Sequence, residues 1–220
     1  MIGTNEVLTL PDAEAMADLG TFVGRAKRVD PDGAARLIGH GDVLAVYVSP
    51  VHGGGGPTVL GLRTLHLAVA SLIDVTVPLG ALTDRFARPG QGVEALGLAV
   101  PPVEAVGVAW AGVVPPRRGW VADGAVEAAV LRAAAGAGVA EVAAGAPEGS
   151  GAAAVAALRG RVWGRPLGAG RPGLPFGVAF VADALGFLDD DRPAALYRCG
   201  PWWRLTSERG HVLARTPALL

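Results

Sequence analysis

The chain has almost no lysine and almost no cysteine. Lys27 is the single lysine among 220 residues, against eighteen arginines. A phosphate-cradling loop of the Walker type needs Gly-Lys followed by Ser or Thr. Lys27 lies instead in 25-RAKR-28, so that route to phosphoryl transfer is excluded by motif. With Cys199 as the only cysteine, no internal disulfide can form, which fits a reducing compartment. Neither a cysteine pair nor His-Glu-x-x-His is present, so the common zinc signatures are missing. The run 52-HGGGG-56 resembles an oxyanion-hole segment, but no Gly-x-Ser-x-Gly elbow accompanies it, and it reads as a hairpin loop.

Strong net charge is also absent. At −1, no global field draws the protein to nucleic acid or to an anionic membrane. The balance differs along the chain. Residues 1–114 hold seven basic and eleven acidic groups, and residues 115–220 hold twelve and nine. The N-terminus lacks the basic-then-apolar order of a signal peptide. The apolar stretches 65–82 and 93–114 are each interrupted by charge and proline, so neither is expected to span a membrane. A cytoplasmic protein is expected.

What is abundant is alanine, valine, arginine and glycine (33 glycines), with 17 prolines. The composition carries the bias of a GC-rich genome and predicts short elements divided by sharp turns. Residues 11–29 read as a helix. Acids lie near its start, bases near its end, and Met16, Leu19, Phe22, Val23 and Ala26 form a buried stripe. Residues 35–38 and 43–49 read as a hairpin about a GHGD turn. Further strands are expected at 58–69, 74–77 and 95–100, with a short helix at 79–88. The proline-containing segment 112–124 marks a linker. Alanine-rich helices follow at about 124–135, 151–163 and 175–187, then strands near 194–199, 202–206 and 211–215.

The expected fold class is α+β. An N-terminal helix with mostly antiparallel sheet (1–114) precedes a helical region capped by a β-hairpin (115–220). Three helices then a hairpin is the element order of a winged helix. Against that function, 176-FGVAFVADALGFL-188 carries one charge, and the connection 164–174 is too long for a helix-turn-helix. An echo between 45-AVYVS-49 and 195-ALYRC-199, each after a helix and an acidic turn, suggests internal duplication.

Other candidate chemistries fail on context. The segment 168-GAGRPG-173 matches Gly-x-Gly-x-x-Gly, but a helix rather than a strand precedes it, and Asp189 to Asp191 fall before the next strand. His40, Asp42, His52 and His66 fall in one sheet region at spacings that fit no metal site. A nucleophilic Cys199 would need His211 as base, yet a strand cysteine is ordinarily a small buried hydrophobe. No catalytic, metal-ligating or cofactor-binding residue is therefore assigned.

The stretch 196-LYRCGPWWRLTSERGHVLAR-215 holds the remaining signal. Alternation sends Trp203 and Leu205 inward and Trp202 and Arg204 outward, with Arg198 and Arg215 expected to join them. Tryptophan and arginine are favoured interface anchors. A protein partner or self-association is the leading expectation. Nucleic-acid binding by the C-terminal unit and an enzyme with an inter-domain cleft remain alternatives. Segments 32–50, 75–88, 176–188 and 201–215 resemble uncharacterised proteins from actinobacterial genomes. That resemblance implies a cytoplasmic protein of two adjoining regions and transfers no activity.

Overall fold

The computed structural model describes residues 6–53, 55–87, 96–146, 149, 151–168, 171, 173–188 and 192–215. The acidic run Asp189 to Asp191 and parts of 168–173 lie outside the described residues. The architecture is α+β, with antiparallel pairing in every register the structure defines. Two compact units form. The first comprises 1–48 and 62–112, the second 49–61 and 113–220.

In the first unit β1 (Val7–Thr9) pairs with β4 (Gly97–Ala99). Helix α1 (Ala13–Val29) starts where the Asp12 side chain accepts a hydrogen bond from the Ala15 N–H at 2.7 Å. Leu19, Phe22, Val23 and Ala26 are buried as the spacing predicts, whereas Met16 is half-buried. Lys27 donates to Thr83 Oγ1 (3.0 Å), tying α1 to α2 (Leu79–Phe86).

The predicted GHGD turn does not form. Residues 34–51 are one strand, β2 (Ala34–Val51), and β3 (Thr58–Pro78) is equally continuous, so 58–69 and 74–77 are not separate strands. Gly41 explains the error. Ala35, Leu37 and Gly39 are buried before it, Leu44, Val46 and Val48 after it. Inward positions thus switch from odd to even across Gly41, whose φ of 63 is left-handed. One extra residue at a glycine kink keeps a single face inward, as a β-bulge does. Arg36 on β2 then grips Asp74 on β3 through two 2.7 Å hydrogen bonds and also donates to the Ala111 carbonyl.

The second unit holds β5 (Val121–Val126), α3 (Ala128–Gly145), α4 (Ala152–Gly164), α5 (Gly177–Ala184), β6 (Ala194–Cys199), β7 (Trp202–Ser207) and β8 (Gly210–Arg215). Strand order in the six-stranded sheet is β2-β3-β8-β7-β6-β5. The expected helix at 124–135 begins later, because 121–126 pairs with β6 as an edge strand, and it ends ten residues further on, at Gly145. The C-terminal strands are therefore not an isolated two-stranded wing.

Helix α3 packs on α4 and α5 through Ala128, Leu131, Ala135 and Gly138. Gly138 is required by close approach: a Cβ there would stand 2.2 Å from Trp163 Cζ3. Trp163 in turn stacks on Phe180 at 4.5 Å and Phe176 at 6.2 Å between centroids. Gly56 lies against the Gly160 backbone, where a Cβ would come within 2.8 Å, and Arg159 donates to the Pro50 carbonyl. Helix α3 is also long and apolar enough by composition to cross a membrane, with 22% of that window buried. Alanine, not large aliphatics, supplies much of its hydropathy.

Candidate functional site

The two-residue connection Gly200-Pro201 sets the geometry of the C-terminal strands. It places Cys199 opposite Trp202, which puts Tyr197 opposite Arg204 and Ala195 opposite Thr206. The turn after Ser207 places Arg204 opposite Leu213 and Trp202 opposite Arg215. Residues directly opposite each other in an antiparallel pair share a face. One face therefore carries Tyr197, Cys199, Trp202, Arg204 and Arg215. The other carries Leu196, Arg198, Trp203, Leu205, Val212 and Ala214.

This sorting corrects two expectations. Arg198 does not join Arg204. Its register partner is Trp203, and its guanidinium lies 4.9 Å over the Trp203 ring on the opposite face. Trp202 is not an exposed anchor, because only 6% of it is accessible. Arg215 does share the Arg204 face and is exposed. Arg204 is half-buried.

Two residues that sequence reasoning did not single out complete the cluster. The Arg204 guanidinium carbon lies 4.4 Å from the Tyr197 ring centroid and 4.7 Å from that of Trp120. Trp120 is fixed in turn, its indole N–H donating to the Pro116 carbonyl at 2.9 Å. The Cys199 thiol donates to the Arg118 carbonyl at 3.6 Å, holding the 116–120 segment to the same sheet face. Each ring attracts the cation by about 0.5–2 kcal/mol, the upper end applying where water is excluded.

Arg204 makes no ion pair with a described residue, and its buried Nε lacks a hydrogen-bond partner. Burial pushes its pKa below the ordinary arginine value, with the Tyr197 side chain opposing that shift. Arg36 shows the contrast: the hydrogen bonds it donates to Asp74 raise its pKa despite burial. Chemically, the Arg204 cluster presents a planar cation held against two aromatic rings.

The remaining candidates are not assembled. Cys199 stands opposite Trp202, whereas His211 stands opposite Thr206, whose hydroxyl is 3.0 Å from His211 Nδ1. Four residues along a strand separate the two positions, about 13 Å, so no thiol–imidazole pair exists. His66 meets Asp42 at 3.7 Å on an exposed surface, and His52 Nδ1 donates to the Ser49 carbonyl at 2.6 Å. Among the described residues no three His, Cys, Asp or Glu groups gather as a metal site. A pocket of about 290 Å³ lies beside the ends of β6 and β7, lined by Phe187, Leu188, Arg192, Thr206, Ser207 and Glu208 among others. An exposed ion pair, Arg192 with Glu208, borders it.

The fold and the cluster thus describe an α+β protein of two compact units with an aromatic-held arginine on one sheet face. Residues 3–112, half of the chain, match a domain of unknown function, DUF8010, and the chain belongs to that family. Residues 115–219 match a second domain of unknown function, DUF8185. The two matches meet where the compact units divide, although residues 49–61 belong to the second unit. No curated protein and no solved structure matches the chain.

Proposed function

We propose that this is a non-enzymatic interaction protein whose partner, a protein, docks on the face that carries Arg204 and Arg215. The observation that carries this reading is the guanidinium held by Trp120 and Tyr197 with no carboxylate among the described residues paired to it. Such a side chain has surrendered its rotamer freedom before binding, and pre-ordering of this kind raises affinity. Arginine and aromatic residues are also the commonest energetic anchors of protein interfaces.

The domain limits 1–114 and 115–220 belong to the same proposal, with the second domain bearing the contact. So does a cytoplasmic location, which the single cysteine, Cys199, suits. Internal duplication is supported by the order shared by α1-β2-β3 and α5-β6-β7. An actinobacterial source is proposed on the resemblance alone.

The test is comparative capture from the host's own extract, followed by rebinding of purified components. Wild type and Arg161→Ala, a change at an exposed position on α4, are expected to retain the same polypeptide. Arg204→Ala is expected to lose it. Identical capture by all three refutes the placement of the contact.

A further inference from the structure

Resting on that reading of the Arg204 face, we infer that the partner is acidic and seats a carboxylate, from an Asp, a Glu or a chain terminus, on the Arg204 guanidinium. Three features of the cluster select that chemistry. The first is the fork itself. A planar guanidinium binds carboxylate through two parallel N–H···O bonds, and rings 4.4 and 4.7 Å from the guanidinium carbon restrain it in advance. Among the described residues no side chain pairs with Arg204, and its buried Nε has no hydrogen-bond partner. A cation removed from water without a counter-ion carries a desolvation cost that an arriving anion relieves.

The second is the surrounding charge. Arg215 is exposed on the same face, opposite Trp202. Arg118, whose carbonyl is held by Cys199, and its neighbour Arg117 are exposed beside the cluster. Asp123 is the single acid in the adjoining β5. A local positive field of this kind raises the encounter rate with an acidic segment and is screened by salt.

The third is what the rings are occupied with. Binding of a nucleic-acid strand relies on aromatic faces open to stacking bases. Here both Trp120 and Tyr197 turn a face to the guanidinium, and both are half-buried.

The experiment uses the full chain and fluorescein-labelled hexaglutamate, read by fluorescence anisotropy at low salt. Wild type and Arg161→Ala are expected to bind it equally, and added salt is expected to weaken both. Arg204→Met keeps an apolar side chain between the rings, and an unchanged melting curve shows that the fold survives it. This variant is expected to bind about tenfold or more weaker, the scale of a lost charge-assisted bond. Arg204→Lys is expected to fall nearly as far, because a point charge does not replace the fork.

Equal binding by wild type and Arg204→Met overturns the inference, as does full strength in Arg204→Lys. So does displacement of the peptide by inorganic phosphate or a single-stranded oligonucleotide at lower concentration than by unlabelled hexaglutamate. If hexaglutamate fails to bind while a captured polypeptide still depends on Arg204, the acidic partner is refuted and the interaction reading stands.

Discussion

Two glycines on α3 predict opposite outcomes for the same substitution. At Gly138 an added methyl would stand 2.2 Å from Trp163 Cζ3, 2.6 Å from Cη2 and 2.9 Å from Phe176 Cε1. Ordinary carbon contacts lie at about 3.5–4 Å, so Trp163 would have to move by more than an ångström. It cannot do so cheaply, because its ring is stacked on Phe180 and its residue is 2% exposed. Overpacking of this kind costs about 1–3 kcal/mol. Alanine regains about 1 kcal/mol as a better helix former. With contacts this short the overpacking lies at or beyond the top of its range, so Gly138→Ala should be net destabilising by about 2 kcal/mol. At Gly136, two residues away and exposed, an added Cβ meets nothing within 4 Å. Only the propensity acts there, and Gly136→Ala should be stabilising by about 0.5–1 kcal/mol. Thermal unfolding followed by tryptophan fluorescence reads both. Gly138→Ala should melt about 4–8 °C lower and Gly136→Ala about 1–4 °C higher than wild type. A Gly138→Ala protein that melts at or above wild type would refute the packing described for α3 and Trp163.

Other substitutions test the remaining contacts. Gly210→Ala should be destabilising by more than about 1 kcal/mol in urea unfolding, since φ is 157 and a Cβ would lie 2.5 Å from Phe187 Cε1. Asp12→Ala should cost about 1 kcal/mol in the same assay, because it removes the cap of α1. Arg36→Ala should cost about 1–2 kcal/mol through its buried end at Ala111, despite the exposure of Asp74. Arg198→Ala should leave hexaglutamate binding unchanged, since Arg198 lies on the Trp203 face.

How much was legible depended on the range of the contact. The α1 stripe and its cap are local, and Leu19, Phe22, Val23 and Ala26 were readable from spacing. The GHGD error came from treating Gly41 as a turn residue. Glycine favours both a turn and a bulge, and the parity change at Leu44 distinguishes them only if 34–51 is followed as one strand. Strand β5 was hidden because an exposed edge strand has no inward face to alternate. In the site, Arg204 and Arg215 were readable by alternation. Tyr197 was recoverable in principle, since a two-residue turn at Gly200-Pro201 fixes it opposite Arg204. Trp120 was not, because no periodicity links residue 120 to residue 204 across the intervening helices.

If Arg204 is a clamped cation that takes up an anion, its own side-chain N–H reports on that directly. In a proton–nitrogen NMR spectrum the Arg204 Nε–H signal, assigned by its loss in Arg204→Met, should lie upfield of the other arginine signals. It should exchange slowly with water and move on addition of hexaglutamate. A rapidly exchanging signal at the position of a free arginine, indifferent to the peptide, would contradict the account.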